Sequence, residues 1–308
     1  MFLSLTLACG IDVGFGDTDA AVADPVWVTE SLVQDSAPAV DVLFVVDGTG
    51  SMAEEQASLV AAAGDFVGAL EADSLDWQLA ATSTDLEDGG VLNGNPWILT
   101  PQHESPAAAL AVALDIGADH APPSAGLDAA ALALADDTGQ NHGFRRESAA
   151  LHVIFVSDGE DQSGTILGSN PVDAFLALLL EEEARTGQPA RASAVVGDSP
   201  AGCDGATGEA SAGLRYLAVA TRSGGASVSV CDADFAAVAA RLGELAVVWP
   251  QEFVLQGLPE AGTVSVEING GRYDDFTVDY AALTLFLDTP PPPYATIEVR
   301  YQLAASDT

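Results

Sequence analysis

The chain has 308 residues, enough for one full-sized core and a smaller module. Its 46 acidic residues outweigh nine basic ones, all of them Arg, for a formal charge of -37; without Lys, neither a Walker A phosphate loop nor Schiff-base chemistry can be built. That charge repels a phosphate backbone and excludes nucleic-acid binding through a broad basic face, while suiting a heavily solvated surface.

The start, MFLSLTLACG, is apolar up to Cys9 and then turns polar and acidic. It resembles the end of a bacterial lipoprotein signal, with residues 1–9 as the signal segment and Cys9 as the acylated residue, although a positive n-region is missing and the apolar stretch is short. Gly10 after the Cys fits outer-membrane delivery in the lipoproteins it resembles. Residues 10–38 read as an acidic tether, frequent in Gly, Asp and Pro and without a sustained period. No later segment is long and apolar enough to span a bilayer, since FLALLL at 175–180 runs into three Glu, so membrane attachment is expected only through Cys9.

From residue 39 to 248 strands alternate with helices. VDVLFVVD (40–47) is a continuous apolar run suited to a central parallel strand. A helix is predicted from about 52, with Leu59, Ala63, Phe66, Val67 and Leu70 on one face. WQLAATST (77–84) is a second strand, and 95–101 a short edge strand. Leu127, Ala131 and Leu134 mark the next helix, and LHVIFVSD (151–158) is a second strongly apolar strand ending in Asp. Asn170 and Pro171 start a further helix as cap and first-turn Pro. A strand follows over 190–198, a helix over 208–225, a strand over 226–231 and a closing helix from Asp232. This alternation predicts an α/β fold with a doubly wound, mostly parallel sheet. Residues 249–308 change to a period of two, with Asn269-Gly270 as a hairpin turn, and predict a small all-β module.

In such a sheet, ligands bind beyond the carboxyl ends of the strands, where two central strands here end in Asp47 and Asp158. Asp47-Gly48-Thr49-Gly50-Ser51 adds oxygen side chains at alternate positions, with Gly between them to turn the backbone, and such a loop suits a hard cation. Its simpler alternative is a strand-to-helix turn with a hydroxyl cap. DGTGS at 47–51 and VIFVSDGED at 153–161 resemble the two metal-site motifs of the von Willebrand factor type A domain, over roughly residues 39–247. The resemblance implies a Mg²⁺ (or Mn²⁺ or Ca²⁺) held by Asp47, Thr49, Ser51 and Asp158. It also implies an adhesion-type role, not an enzymatic one, in which an acidic group of a partner completes the coordination. The family's loop Thr is missing: the stretch before Gly126-Leu127 puts Ala121 near that position and leaves Ser124 as the nearest hydroxyl, a lesser candidate. A structural envelope component with a degenerate metal site, interacting through the β module, is the competing expectation.

Reactive alternatives fit less well. A haloacid-dehalogenase phosphatase would need its second Asp at Thr49, and a Ser hydrolase would need Gly after Ser51-Met52. The histidines at 103, 120, 142 and 152 lack metalloprotease spacing and read as surface or structural. Cys203 and Cys231 flank a helix and a strand; in an exported chain they suggest a disulfide, and the stretch ending in Cys231 resembles a segment of exported bacterial type A domains.

Overall fold

The computed structural model describes residues 25–34, 39–72, 76–121, 123–135, 138–232, 234–246, 250–292 and 294–304. The proposed signal segment and Cys9 lie outside them. In the α/β part, β2 (Val40–Val46), β3 (Trp77–Ser83), β4 (Ala150–Ser157), β5 (Ala190–Val196) and β8 (Ser227–Ser229) form one parallel sheet in the order β3-β2-β4-β5-β8. β2 and β4 are buried at every residue, which explains why their sequences are continuously apolar and not alternating.

Successive side chains of β2 point to opposite faces, and each face has its own core. Val42, Phe44 and Val46 pack with α1 (Ala53–Ala61), α2 (Ala63–Ala72), α3 (Pro106–Leu114) and α7 (Phe235–Ala246). Leu43 and Val45 pack with α4 (Gly126–Ala135), α5 (Pro171–Thr186) and α6 (Leu214–Ser223). Phe44 meets Phe66 edge to face at 4.9 Å on the first side, and Phe155 stacks on Tyr216 at 5.0 Å on the second.

The remaining strands make the β module. β1 (Trp27–Val33), β14 (Thr296–Gln302), β10 (Ser265–Ile268) and β11 (Gly271–Tyr273) pair in the order β1-β14-β10-β11. β12 (Phe276–Asp279), β13 (Thr284–Leu287) and β9 (Glu252–Val254) form a second, three-stranded sheet. Leu255, Val266, Leu285, Leu287, Ile297, Val299 and Tyr301 form its core.

Several expectations need correction. Residues 27–33, expected within the tether, are strand β1, paired antiparallel with β14 over seven residues, so the β module takes one strand from before the α/β domain. Glu30 explains the inward alternation: it is buried, accepts the Tyr301 hydroxyl and receives the Gln256 N–H at 2.9 Å. The edge strand over 95–101 reduces to one isolated antiparallel bridge, Leu79 with Leu99, because Pro96 has no N–H to extend a ladder towards the neighbouring bridge of Ala81 with Asn93. The helix expected over 208–225 starts only at Leu214. Residues Gly208–Ala210 instead form β7, paired with β6 (Cys203–Gly205), and Gly208 takes a φ of 144° that side chains disfavour. The single helix from 52 breaks at Ala62 into α1 and α2. Helix α3 had no counterpart in the sequence reading.

Candidate metal centre

Asp47 and Asp158 follow the ends of neighbouring parallel strands, at the place where the chain has run outward to β3 and crossed back to β4. Asp47 is buried, and its main-chain N–H donates to Val156 at 2.9 Å, which fixes it against β4. Its Oδ1 accepts the Thr49 N–H at 2.9 Å and its Oδ2 accepts the Ser157 hydroxyl at 2.6 Å. Each oxygen keeps a further lone pair, so the carboxylate is oriented without being saturated.

Above it, the Thr49 and Ser51 hydroxyl oxygens lie 3.2 Å apart, and Ser51 is exposed. Asp158 is buried beside them, with its N–H donating to the Met52 sulfur at 3.1 Å and its carbonyl accepting Ser211 N–H at 2.8 Å. Burial pushes the Asp158 carboxyl up, a hydrogen bond from Ser51 pulls it partly back, and the charge of Asp47 raises it again. The structure therefore brings Asp47, Thr49, Ser51 and Asp158 together.

Ser124 is not joined to them. It is buried and its carbonyl accepts the Gln162 N–H at 2.9 Å, but among the described residues none of its contacts reaches the four oxygens. Ala121, near the position of the absent Thr, is exposed. It lines a cleft of about 520 Å³ with Asp85, Leu86, Glu87, Asp119, His120 and Pro123.

Sequence reasoning missed four neighbours. Ser157 clamps Asp47, as above. Gln56 ties the two loops of the site: its amide donates to the Asp47 carbonyl at 3.3 Å and the Gly117 carbonyl at 3.0 Å, and accepts the Gly117 N–H at 3.0 Å. His120, read as surface or structural, sits at the rim, where its N–H donates to the Gly48 carbonyl at 2.9 Å and it bridges to Thr49. Its ring covers Gly48 so closely that a Cβ there would lie 2.5 Å from Nδ1. Gly48 is thus required by this close approach, and neither it nor Gly50 adopts the positive φ that a special turn would demand. Glu55, the fourth, is fully buried with both carboxylate oxygens unpartnered; burial, then the charges of Asp158 and Glu54, push it up. A signal existed in the consecutive acidic pair of Glu54 and Glu55, but such pairs ordinarily mark a solvated helix start.

His152 stands apart from this site: it is buried on the sheet, with Nε2 2.8 Å from the Ser193 hydroxyl, and burial holds it down to about 3, hence neutral. Cys203 and Cys231 are joined in a disulfide, Cα atoms 6.0 Å apart, which fastens the β6–β7 hairpin beside Asp158.

The residues fit a hard cation. The donors are all oxygen, Asp47 and Asp158 have no ion pair among the described residues, and Glu55 adds a third uncompensated carboxylate. No group of three or more His, Cys, Asp and Glu side chains is arranged to hold a metal among the described residues, so the hydroxyls of Thr49 and Ser51 are essential to any such centre.

No protein-family model matches the chain, and no curated protein matches it in sequence. Similar solved structures include a von Willebrand factor type A protein from Catenulispora acidiphila, at 16% identity and a TM-score of 0.41, covering 92% of this chain and 66% of that one. A pilus adhesin from Lactobacillus rhamnosus GG has 12% identity and a TM-score of 0.42, over 92% of this chain and 42% of that one. Proximal thread matrix protein 1 from the mussel byssus, with a zinc-occupied metal-ion-dependent adhesion motif, has 15% identity and a TM-score of 0.39, over 71% and 48%. This chain spans less than two thirds of the length of each. Likenesses this loose say nothing about ligands or partners. Among the described residues, no helix is long and apolar enough to cross a membrane. The strand order, the oxygen-bearing turn after β2 and the aspartate after β4 give an α/β fold with a parallel sheet that is similar to a von Willebrand factor type A domain, here carrying a β module.

Proposed function

We propose that this chain is a cation-dependent, adhesion-type binding module of the bacterial cell envelope, and not an enzyme. The observation that carries the reading is the pair of buried carboxylates, Asp47 and Asp158, lying without a cationic partner among the described residues beneath the paired hydroxyls of Thr49 and Ser51. Thr49, Ser51, Asp47 and Asp158 would hold Mg²⁺, Mn²⁺ or Ca²⁺, ions that prefer oxygen donors. When bound, the ion supplies an electrophilic position that an acidic side chain of a partner protein can fill. Ser157 and Gln56 keep Asp47 and the 117 loop in place, so the hydroxyls are presented outward on a fixed base.

The cleft beside the site carries Asp85, Glu87 and Asp119, and the whole chain is strongly acidic. A partner that approaches through one carboxylate therefore does best when that carboxylate is flanked by basic groups. The competing reading, a structural component acting through the β module, is favoured by Ala121 standing where the family resemblance implies a Thr. Anchoring through acylated Cys9 places the module at the outer membrane; otherwise it is secreted.

Capture of partners from envelope extracts on immobilised protein, with Mg²⁺ or with EDTA, separates the readings. Partners retained only with Mg²⁺, and lost with Ser51→Ala, support the metal-dependent module. Retention unchanged by EDTA supports the structural one. For the anchor, Cys9→Ser should move the protein out of the membrane fraction, and identical fractionation of wild type and variant would rule acylation out.

A further inference from the structure

Glu55 lies in the first turn of α1, fully buried, and neither oxygen of its carboxylate has a hydrogen-bond partner. Its Oε1 lies against Gly208, leaving no room there for a Cβ, and Met52, three residues before it, accepts the Asp158 N–H on its sulfur. Gly208 opens β7, and Ser211 just beyond that strand donates its N–H to the Asp158 carbonyl. Glu55 is thus enclosed between α1 and the disulfide-fastened hairpin, beyond which the chain holds Asp158.

An ionised carboxylate with no partner inside a protein is costly, and a helix of this sequence could carry an apolar residue there instead. Other buried acids of the domain have counter-groups: Asp41 has Arg146, Glu182 has Arg185 and Arg145, and Asp128 takes four main-chain N–H groups. We propose that Glu55 is a working part of the cation centre, a buried carboxylate whose charge the bound divalent ion balances and which sets the centre's affinity in a site whose loop lacks the expected Thr. The inference rests on the cation reading above. It makes Glu55 a positioning and charge-balancing residue, acting from the interior side while Thr49 and Ser51 face the solvent.

The test is Mg²⁺ binding by calorimetry, and Mn²⁺ binding by electron paramagnetic resonance, on the full chain as wild type, Glu55→Gln and Asp47→Ala. Wild type should bind, Asp47→Ala should not, and Glu55→Gln should bind about tenfold or more weakly, the range seen when groups supporting a metal site are removed. Without metal, Glu55→Gln should melt at or above wild type, because it removes a buried acid that no partner satisfies while keeping the shape. A Glu55 that merely fills space predicts unchanged affinity, since Gln fills the same volume. Equal affinity of wild type and Glu55→Gln overturns the proposal and leaves the centre standing; no binding by wild type overturns the centre itself and the proposal with it. Should Glu55→Gln not give a folded circular-dichroism spectrum, Glu55→Met decides: it removes the charge at similar length, and unchanged affinity there sinks the idea.

Discussion

Strand β2 carries an aspartate near each end, and the two are treated differently. Asp41, at the amino end, is buried but receives the Arg146 Nε–H at 2.7 Å on one oxygen and the Arg146 main-chain N–H at 2.8 Å on the other. Arg146 also donates to the carbonyls of Val40 and Asp76, so the charge is locked into the chain's own network. Asp47, just past the carboxyl end, is equally buried, yet its partners are one main-chain N–H and one hydroxyl, and its charged neighbours are acids. On this one strand, the chain supplies a cation to the acid at the amino end and none, among the described residues, to the acid at the carboxyl end, where the proposed ion would sit.

The largest expected effect sharpens the amino end. Arg146→Met strands Asp41 in the core and should cost about 3–5 kcal/mol in urea unfolding, as for other broken buried pairs, with or without Mg²⁺. If the loss vanished on adding Mg²⁺, the two ends would not be distinct. Next, reduction of Cys203–Cys231 opens a 28-residue loop and should cost about 3–4 kcal/mol on the chain-entropy account, read from the melting midpoint with and without reductant. It should also weaken the Mg²⁺ response, since the freed hairpin leads to the N–H that holds Asp158.

A pH experiment separates the ends again. Burial outweighs Arg146 and pushes the Asp41 carboxyl from 3.8 up to about 6. The folded protein therefore holds a proton there that the unfolded chain has released. The corresponding stability, on the order of 2–3 kcal/mol, is complete below pH ~4 and lost as the pH rises to about 6. Asp41→Asn should remove this share of the slope, and an unchanged slope would assign it elsewhere. The smallest effect lies far away: Glu267 and Glu298 are exposed and directly opposite on β10 and β14, so Glu267→Gln should stabilise by only a few tenths of a kcal/mol in thermal melts.

Much of this was legible because the signals are local. The unbroken apolar runs of β2 and β4 announce strands buried on both faces, and their terminal aspartates announce the site. What escaped depends on distant pairing or on burial. WVTESLV alternates as a strand should, but its partner β14 lies at the far end of the chain, so it read as tether. PAAALAVAL has a Ser105-Pro106 start but is so uniformly small and apolar that no face stands out, and periodicity alone does not reveal α3. His120 reaches the site only because its loop folds over Gly48, and Glu55 becomes unusual only once the β6–β7 hairpin covers it.

A divalent cation at the carboxyl end of β2, as proposed, is tested most simply by the melting temperature in millimolar Mg²⁺. A cation that binds only the folded state stabilises it by about 2.7 kcal/mol at a hundred times its dissociation constant. Wild type should therefore melt higher with Mg²⁺, Asp47→Ala should fold but show no rise, and the exposed pair Glu267→Gln with Glu298→Gln, distant from the site, should respond like wild type. An equal rise in wild type and Asp47→Ala would contradict the account, and would make the oxygens after β2 no more than a turn.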